Sequence, residues 1–325
     1  MPLLLSEADV KSLLTMPIAL ECVKTSFKRL ADHSAENQSR QRLHAGKTFL
    51  HYMAALDNAG GYMGLKIYTS VGRQLRFVIP LYRVETGEMT ALIEADFIGQ
   101  MRTGAASGIA TKYLARADAK SVAIIGTGLQ SRTQLEAVAA VRGVTSAKAY
   151  GRDAERRETF AREMSDKLKI PVTAAASAEE CVRGSDIIVT STTSTTPVLE
   201  GKWVTPGMHI NAIGANFPQK HELDAEAVRK CNVVTADSRA QSKLESGDLI
   251  QMYGDDDRLW REVIEIADVI GGTAKGRTSD SQITLFKSNG IAIEDVVTAA
   301  RVYEMAKEKG IGREVPMWQG TPEQS

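Results

Sequence analysis

The chain predicts an α/β protein built on a doubly wound parallel sheet, with a mainly antiparallel sheet ahead of it. Three observations carry the prediction. Strand-like and helical segments alternate from about residue 104 onward, the rhythm of βαβ units. A glycine pair, Gly126-Thr127-Gly128, sits between an apolar run and a helix. Before residue 104, short strand-like runs follow one another without a long helix between them. A length of 325 residues fits about two domains at roughly 150 residues each.

Ser6-Glu7-Ala8-Asp9 reads as a capping box, with the serine hydroxyl accepting a free first-turn N–H. Pro17 marks the start of a second helix whose Leu20, Val23, Phe27 and Leu30 share a face, and Cys22 rides on it as a core residue. Strands are expected at 49–54, 64–69, 76–82 and 90–93. A helix over 105–115 then leads to the apolar strand 120–125. Helices follow at 130–141 and 154–168, and strands at 147–150, 186–190, 209–213 and 232–236. A last helix spans 293–307, after the break at Ser288-Asn289-Gly290.

Forty basic residues balance 40 acidic ones. An overall field that would hold nucleic acid or an anionic membrane is therefore not expected. No apolar run approaches the ~18 residues of a membrane span. Glu7 and Asp9 come too early for a signal peptide. Cys22, Cys181 and Cys231 form no CxxC pair, which suits a reducing, cytoplasmic setting. The histidines lack metal-ligand spacing, so no metal is expected, and no GxSxG elbow suggests a hydrolase.

Gly126, Thr127, Gly128, Leu129, Gln130 and Ser131 form the turn that would cradle a dinucleotide. The first glycine allows the tight turn, the second lets backbone approach a pyrophosphate, and the small Ser131 allows close packing. The helix N-terminus favours the anion. A purely topological glycine turn is the alternative. After the next strand, Arg152 points to NADP ahead of NAD, because a guanidinium accommodates a 2′-phosphate. Asp153 either grips a ribose hydroxyl or simply caps the following helix.

Several stretches resemble the ornithine cyclodeaminase/mu-crystallin family: Gly64-Leu65-Lys66, Thr86-Gly87, residues 101–106, 126–131, 210–215, 222–224 and 286–290. The most specific is Arg102-Thr103-Gly104-Ala105-Ala106. The resemblance implies a Rossmann domain at 117–299 and a discontinuous α+β substrate and dimerisation domain at 1–116, completed by 300–325. It also implies an NAD(P)-dependent oxidoreductase acting at the α-carbon of an amino or imino acid. By the same resemblance, Lys66 lies near the reacting nitrogen, Arg102 and Arg42 (or its neighbour Arg40) bind the substrate carboxylate, and Gly214 and Ser288 border the cofactor.

Residue chemistry is compatible with these roles. A guanidinium can grip a carboxylate bidentately, and a buried lysine can have a lowered pKa and exchange a proton with an imine. The bland readings are a Lys66 that snorkels from a strand edge and an Arg102 that caps the preceding segment or pairs with Asp96. Asn216 stands where cyclodeaminases and alanine dehydrogenases of this family carry an aspartate, and a neutral amide cannot take a proton. That favours imine reduction with Lys66 as donor over cyclodeamination of L-ornithine, and a non-catalytic NADPH-binding protein is the third reading. Asp224 reads as a helix start. Arg76, three residues after Arg73, either points inward and suits a dicarboxylic imino acid or is an exposed strand-edge cation. A homodimer is expected, because the first sheet has few helices to cover it.

Overall fold

The computed structural model describes residues 1–72 and 74–317. Arg73 and the tail from Trp318 lie outside the described residues. Along the chain, β1 (Leu3–Leu5), α1 (Glu7–Leu13) and α2 (Met16–Ala31) precede the strands β2 (Ala35–Asn37), β3 (Gln41–Ala45), β4 (Thr48–Asp57), β5 (Tyr62–Val71), β6 (Gln74–Arg83) and β7 (Met89–Glu94). Next come α3 (Asp96–Leu114), β8 (Ser121–Ile125), α4 (Leu129–Val141), β9 (Ser146–Tyr150), α5 (Ala154–Leu168), β10 (Val172–Ala174), α6 (Ala178–Val182), β11 (Ile187–Thr190) and β12 (His209–Ala212). Then follow α7 (Ala225–Arg229), β13 (Val233–Ala236), α8 (Arg239–Glu245), α9 (Gly247–Tyr253), α10 (Asp257–Glu262), β14 (Ile264–Glu265) and α11 (Ile266–Gly271). The chain closes with β15 (Thr284–Lys287), α12 (Ala292–Lys309) and β16 (Arg313–Glu314).

Two compact units divide after Arg102 and after Gly290, earlier in the chain than 116 and 299. In the first, the sheet runs β16-β1-β7-β6-β5-β4-β2, with β3 also paired to β4. It is antiparallel except that Leu3–Leu5 pairs parallel with Ala91–Ile93. Along β4, His51, Met53, Ala55 and Asp57 are buried while Thr48, Leu50 and Tyr52 are exposed, the period-two pattern of a one-sided sheet. The buried face packs against α12. That helix is buried along most of its length, including the charged Glu294 and Asp295. Asn37 Oδ1 accepts from Ile293 N at 3.1 Å, beside the first turn of α12.

Local signals place several elements as expected. Ser6 and Asp9 form the capping box of α1, and Pro17 opens α2. The helix expected from residue 105 begins instead at Asp96. Gly99 and Gly104 lower its intrinsic propensity and blur its apolar period. Its start is held from a distance, because the Glu7 carboxylate accepts from the backbone N of Asp96 at 2.6 Å and of Phe97 at 3.1 Å. Arg102 therefore sits inside this helix.

In the second unit the sheet order is β10-β9-β8-β11-β12-β15-β13-β14, every pair parallel. Val122 and Ile124 face one buried layer with Leu135, Val138 and Phe160, and Ala123 and Ile125 face the other with Ile188, Ile210 and Leu285. Two covered faces explain the continuously apolar strands. The order reverses between β8 and β11, which is the switch point where such sheets bind ligands beyond their strand ends. No helix among the described residues is long and apolar enough to cross a membrane.

Candidate active site

β5 delivers Lys66 to the α12-covered face of the first sheet, where the side chain is 3% exposed. Lys66 Nζ donates to Asp295 Oδ1 at 2.9 Å. Arg102, also buried, donates from Nε to the same oxygen at 3.0 Å and from Nη1 to Glu294 Oε2 at 3.0 Å. Burial first, and then the Arg102 charge, pulls the Lys66 pKa down to about 8, while Asp295 opposes the fall. Gly99 stands beside it on α3, where an added Cβ would lie 3.5 Å from Nζ. Arg102 pairs with Glu294 and Asp295, not with Asp96, whose carboxylate accepts from Phe77 N.

An aromatic wall continues from the lysine. Lys66 Nζ lies 5.0 Å from the Phe77 ring centroid. Phe77 meets Tyr68 at 4.5 Å, and Tyr68 stacks on His51 at 4.3 Å with the planes 4° apart. His51 Nε2 is 3.0 Å from Ser70 Oγ. Burial, then Arg42 and Arg40, drives the His51 pKa down to about 4, so the ring is neutral at physiological pH. Arg42 is directly opposite His51 in the β3–β4 register. Arg40 is 7% exposed and its charge also acts on Lys66. The Arg40 charge thus acts on both Lys66 and His51.

Arg76 is not part of this cluster. Its partner in the β5–β6 register is Thr69, one residue from the Tyr68–Phe77 pair, so alternation sends it to the opposite face from Lys66. It is exposed and donates to the Leu75 carbonyl at 2.9 Å. The inward-pointing reading is corrected accordingly.

In the second unit, Gly126 and Gly128 have different reasons to be glycine. Gly126 has φ +113°, and an added Cβ would lie 2.5 Å from the Ser191 carbonyl oxygen, so the fold itself requires it. Gly128 has φ −83° and ψ −172°, a conformation open to any residue, and an added Cβ would meet nothing within 4 Å. The fold leaves open space there, at the N-terminus of the 13-residue α4, where no side chain caps the free N–H groups. That space and those donors fit a dinucleotide pyrophosphate. Arg132 Nη1 braces the turn from behind, donating to the carbonyls of Thr127 at 3.3 Å and Gly128 at 3.1 Å. Leu129 is 66% exposed at the turn.

Other expected cofactor residues have structural partners. Ser131 is buried, its Oγ 2.7 Å from Ser191 Oγ, so it tightens the packing of the turn. Asp153 Oδ1 accepts from Arg156 N at 3.0 Å and caps α5, the structural role expected of it, while its side chain stays largely exposed. Arg152 is exposed, with no hydrogen bond or ion pair among the described residues. The Ser288 hydroxyl is 1% exposed and donates to Asp237 Oδ2 at 2.9 Å, which also receives Asn289 N and Gly290 N at 2.7 Å each. The Ser288 hydroxyl thus helps to secure its own turn.

Gly214 is a glycine because Glu222 lies against it: an added Cβ would be 2.6 Å from Glu222 Oε1 and 2.2 Å from the Thr192 carbonyl. Glu222 lies in one of the stretches that resemble the family, and no site role was expected of it. Wholly buried, it accepts from Thr190 Oγ1 at 2.9 Å and Gly214 N at 2.7 Å, tying together the chain beyond β11 and β12. Asp224 caps α7 through Ala227 N at 2.7 Å, as its position suggested. Asn216 is half-buried in the segment after β12, at the carboxyl edge of the sheet.

The ornithine cyclodeaminase/mu-crystallin family model matches residues 1–310. The chain belongs to this family. It is 38% identical to a Delta(1)-pyrroline-2-carboxylate reductase of Bacillus cereus over 262 residues, covering 78% of this chain and 80% of that one. The Thermococcus litoralis Delta(1)-pyrroline-2-carboxylate reductase, solved in complex with NADH and L-proline, superposes with a TM-score of 0.92 at 38% identity. It covers 96% of this chain and 100% of its own. An archaeal alanine dehydrogenase dimer with bound NAD also superposes at 0.92, with 35% identity, covering 98% of this chain and 99% of that one. The family's Rossmann-type NAD-binding fold is the fold of this chain.

Proposed function

We propose that the protein is an NAD(P)H-dependent reductase that converts a 2-imino acid to an L-amino acid and runs the reverse reaction when product accumulates. The observation that carries this reading is Lys66: a buried lysine with a pKa near 8, beside a buried arginine, on a face lined by flat aromatic rings. When bound, the nicotinamide supplies the hydride that adds to the imine carbon. Lys66 Nζ delivers the proton to the imine nitrogen and takes it back in the oxidative direction. Arg102, with Arg40 and Arg42 from the β3 side, holds the carboxylate and fixes the α-carbon. His51, Tyr68 and Phe77 offer a wall against which a small ring can lie. Asn216 positions without exchanging a proton.

The substrate class is a cyclic imine carboxylate such as Δ1-pyrroline-2-carboxylate, the substrate that gives the Bacillus and Thermococcus relatives their name. A dicarboxylic imine loses its main argument with Arg76 on the opposite face. The protein acts as a homodimer, as the archaeal alanine dehydrogenase does. The outer face of the first sheet supports this, exposing Leu43 (61%), Leu50 (36%) and Tyr52 (36%).

The test is NAD(P)H oxidation with cyclic ketimines, set beside pyruvate plus ammonia. Lys66→Met is expected to lose turnover by about 10²–10⁴-fold, the usual size of an acid–base contribution, while NADH affinity survives. Ammonia release from L-ornithine with catalytic NAD, and no ketimine reduction, would replace this reading with cyclodeamination.

A further inference from the structure

We propose that Asp295 is the positioning residue of this site: it holds Lys66 and Arg102 on one carboxylate oxygen and supplies the charge that keeps the lysine in its proton-donating form. The inference rests on the reading of Lys66 as the proton donor. Oδ1 receives Lys66 Nζ at 2.9 Å and Arg102 Nε at 3.0 Å, and all three side chains are buried. A second acid one residue earlier, Glu294, takes Arg102 Nη1 at 3.0 Å. Lys66 and Arg102 thus share two adjacent carboxylates of α12, Asp295 and Glu294.

The surroundings explain why an anion is needed. Arg102 from α3 and Arg40 from the segment before β3 lower the lysine's pKa and Asp295 from α12 raises it, while Glu294, also from α12, holds Arg102, and Arg42 from β3 acts with Arg40 on His51 of β4. His51 is neutral, the arginines are cations, and burial disfavours the ammonium further. Among the carboxylates, Asp295 is the one bonded to Nζ. Without its charge Lys66 would shed its proton into this environment and have none to give. Asp295 Oδ2 is buried with no hydrogen-bond partner among the described residues. An asparagine can therefore keep Oδ1 as acceptor for both cations and place its amide where Oδ2 now lies. The geometry survives and only the charge is removed.

Asp295→Asn is the experiment, read as the pH profile of kcat/KM for reduction of a cyclic ketimine. Wild type and variant are measured with the same substrate, so the substrate's own ionisation cancels in the ratio. The wild-type rate should fall as pH rises through the Lys66 pKa. In the variant that fall should move to lower pH by about one to three units, the effect of removing an opposite charge at this range. Activity should return towards wild type at the acid end, and NADH affinity should be unchanged. Asp295→Glu, which keeps the charge, should leave the limb in place even if the rate drops. On a Lys66→Met background, Asp295→Asn should cost little more, because the two act as a unit.

A variant profile lowered in parallel at every pH would overturn the proposal, as would an unshifted limb or an additive double variant. Failure of Asp295→Asn to fold would overturn it too, since the proposal has Lys66 shedding its proton to relieve the lost charge. If the wild type reduces no imine, or Lys66→Met retains full activity, the reading of the enzyme fails instead. These outcomes are separate.

Discussion

Arg152 stands exposed one residue before the cap of α5, with no hydrogen bond or ion pair among the described residues. Asp153 beside it is occupied by Arg156 N. The position therefore offers an exposed guanidinium beside a carboxylate already engaged through one oxygen, and a guanidinium accommodates a 2′-phosphate. Arg152→Ala is expected to weaken NADPH more than NADH, and equilibrium titration of both cofactors checks it. Equal losses, or a wild type that prefers NADH, would count against NADP. Lys66 and Arg102, which the structure brings together on Asp295, were legible as candidates because each sits in a short motif. The direction of Arg76 was not legible, because it depends on the β5–β6 register, which places the residue opposite Thr69 and away from Lys66. Asp295 on α12 and His51 on β4 were missed because their neighbours come from distant parts of the chain. Asp295 meets Lys66 across 229 residues of sequence, and no local pattern records that meeting.

Elements were readable where their signals are local. The capping box of α1, the proline of α2 and the apolar run of β8 each lie within a few residues of the boundary they set. α3 was misplaced because Glu7 holds its first turn, 89 residues away. β15 went unrecognised because its apolar run is short and ends in Lys287. The lysine is wholly buried and paired with Asp248 at 3.0 Å, an arrangement that only the assembled sheet provides. The turn after β8 separates the two glycines by experiment. Gly128→Val should fold with a melting temperature close to wild type, since its Cβ meets open space, and lose NAD(P)H affinity. Gly126→Ala should instead destabilise the protein, because its Cβ would press on the Ser191 carbonyl at a positive φ. Thermal melts with and without cofactor distinguish them, and a Gly128→Val protein that still gains stability from NADH would move the pyrophosphate site elsewhere.

At the scale of the whole molecule, the first sheet uses its two faces differently. Alternation along β4 sends His51 and Met53 inward and Leu50 and Tyr52 outward, and the β3 register places Leu43 opposite Leu50 on the outer side. One face thus carries the buried Lys66 and the chemistry proposed for it, and the other leaves large apolar side chains exposed. A stable homodimer that covers the outer face would bury about 1,600 Å² in total at the standard interface size, removing the exposure of Leu43 and Leu50. Two charges at this seam should break it, since a carboxylate buried without a partner costs several kcal/mol. Light scattering of wild type is expected to give a mass near twice 35.3 kDa. The Leu43→Asp/Leu50→Asp variant should fall to one chain. Imine reduction should fall with it, because Leu50 and His51 are neighbours on one strand and a loosened β4 loosens the aromatic wall beside Lys66. NADH binding, which depends on the turn after β8, should persist. A wild type that scatters as a single chain at micromolar concentration, or a variant that remains dimeric, would exclude this face as the interface.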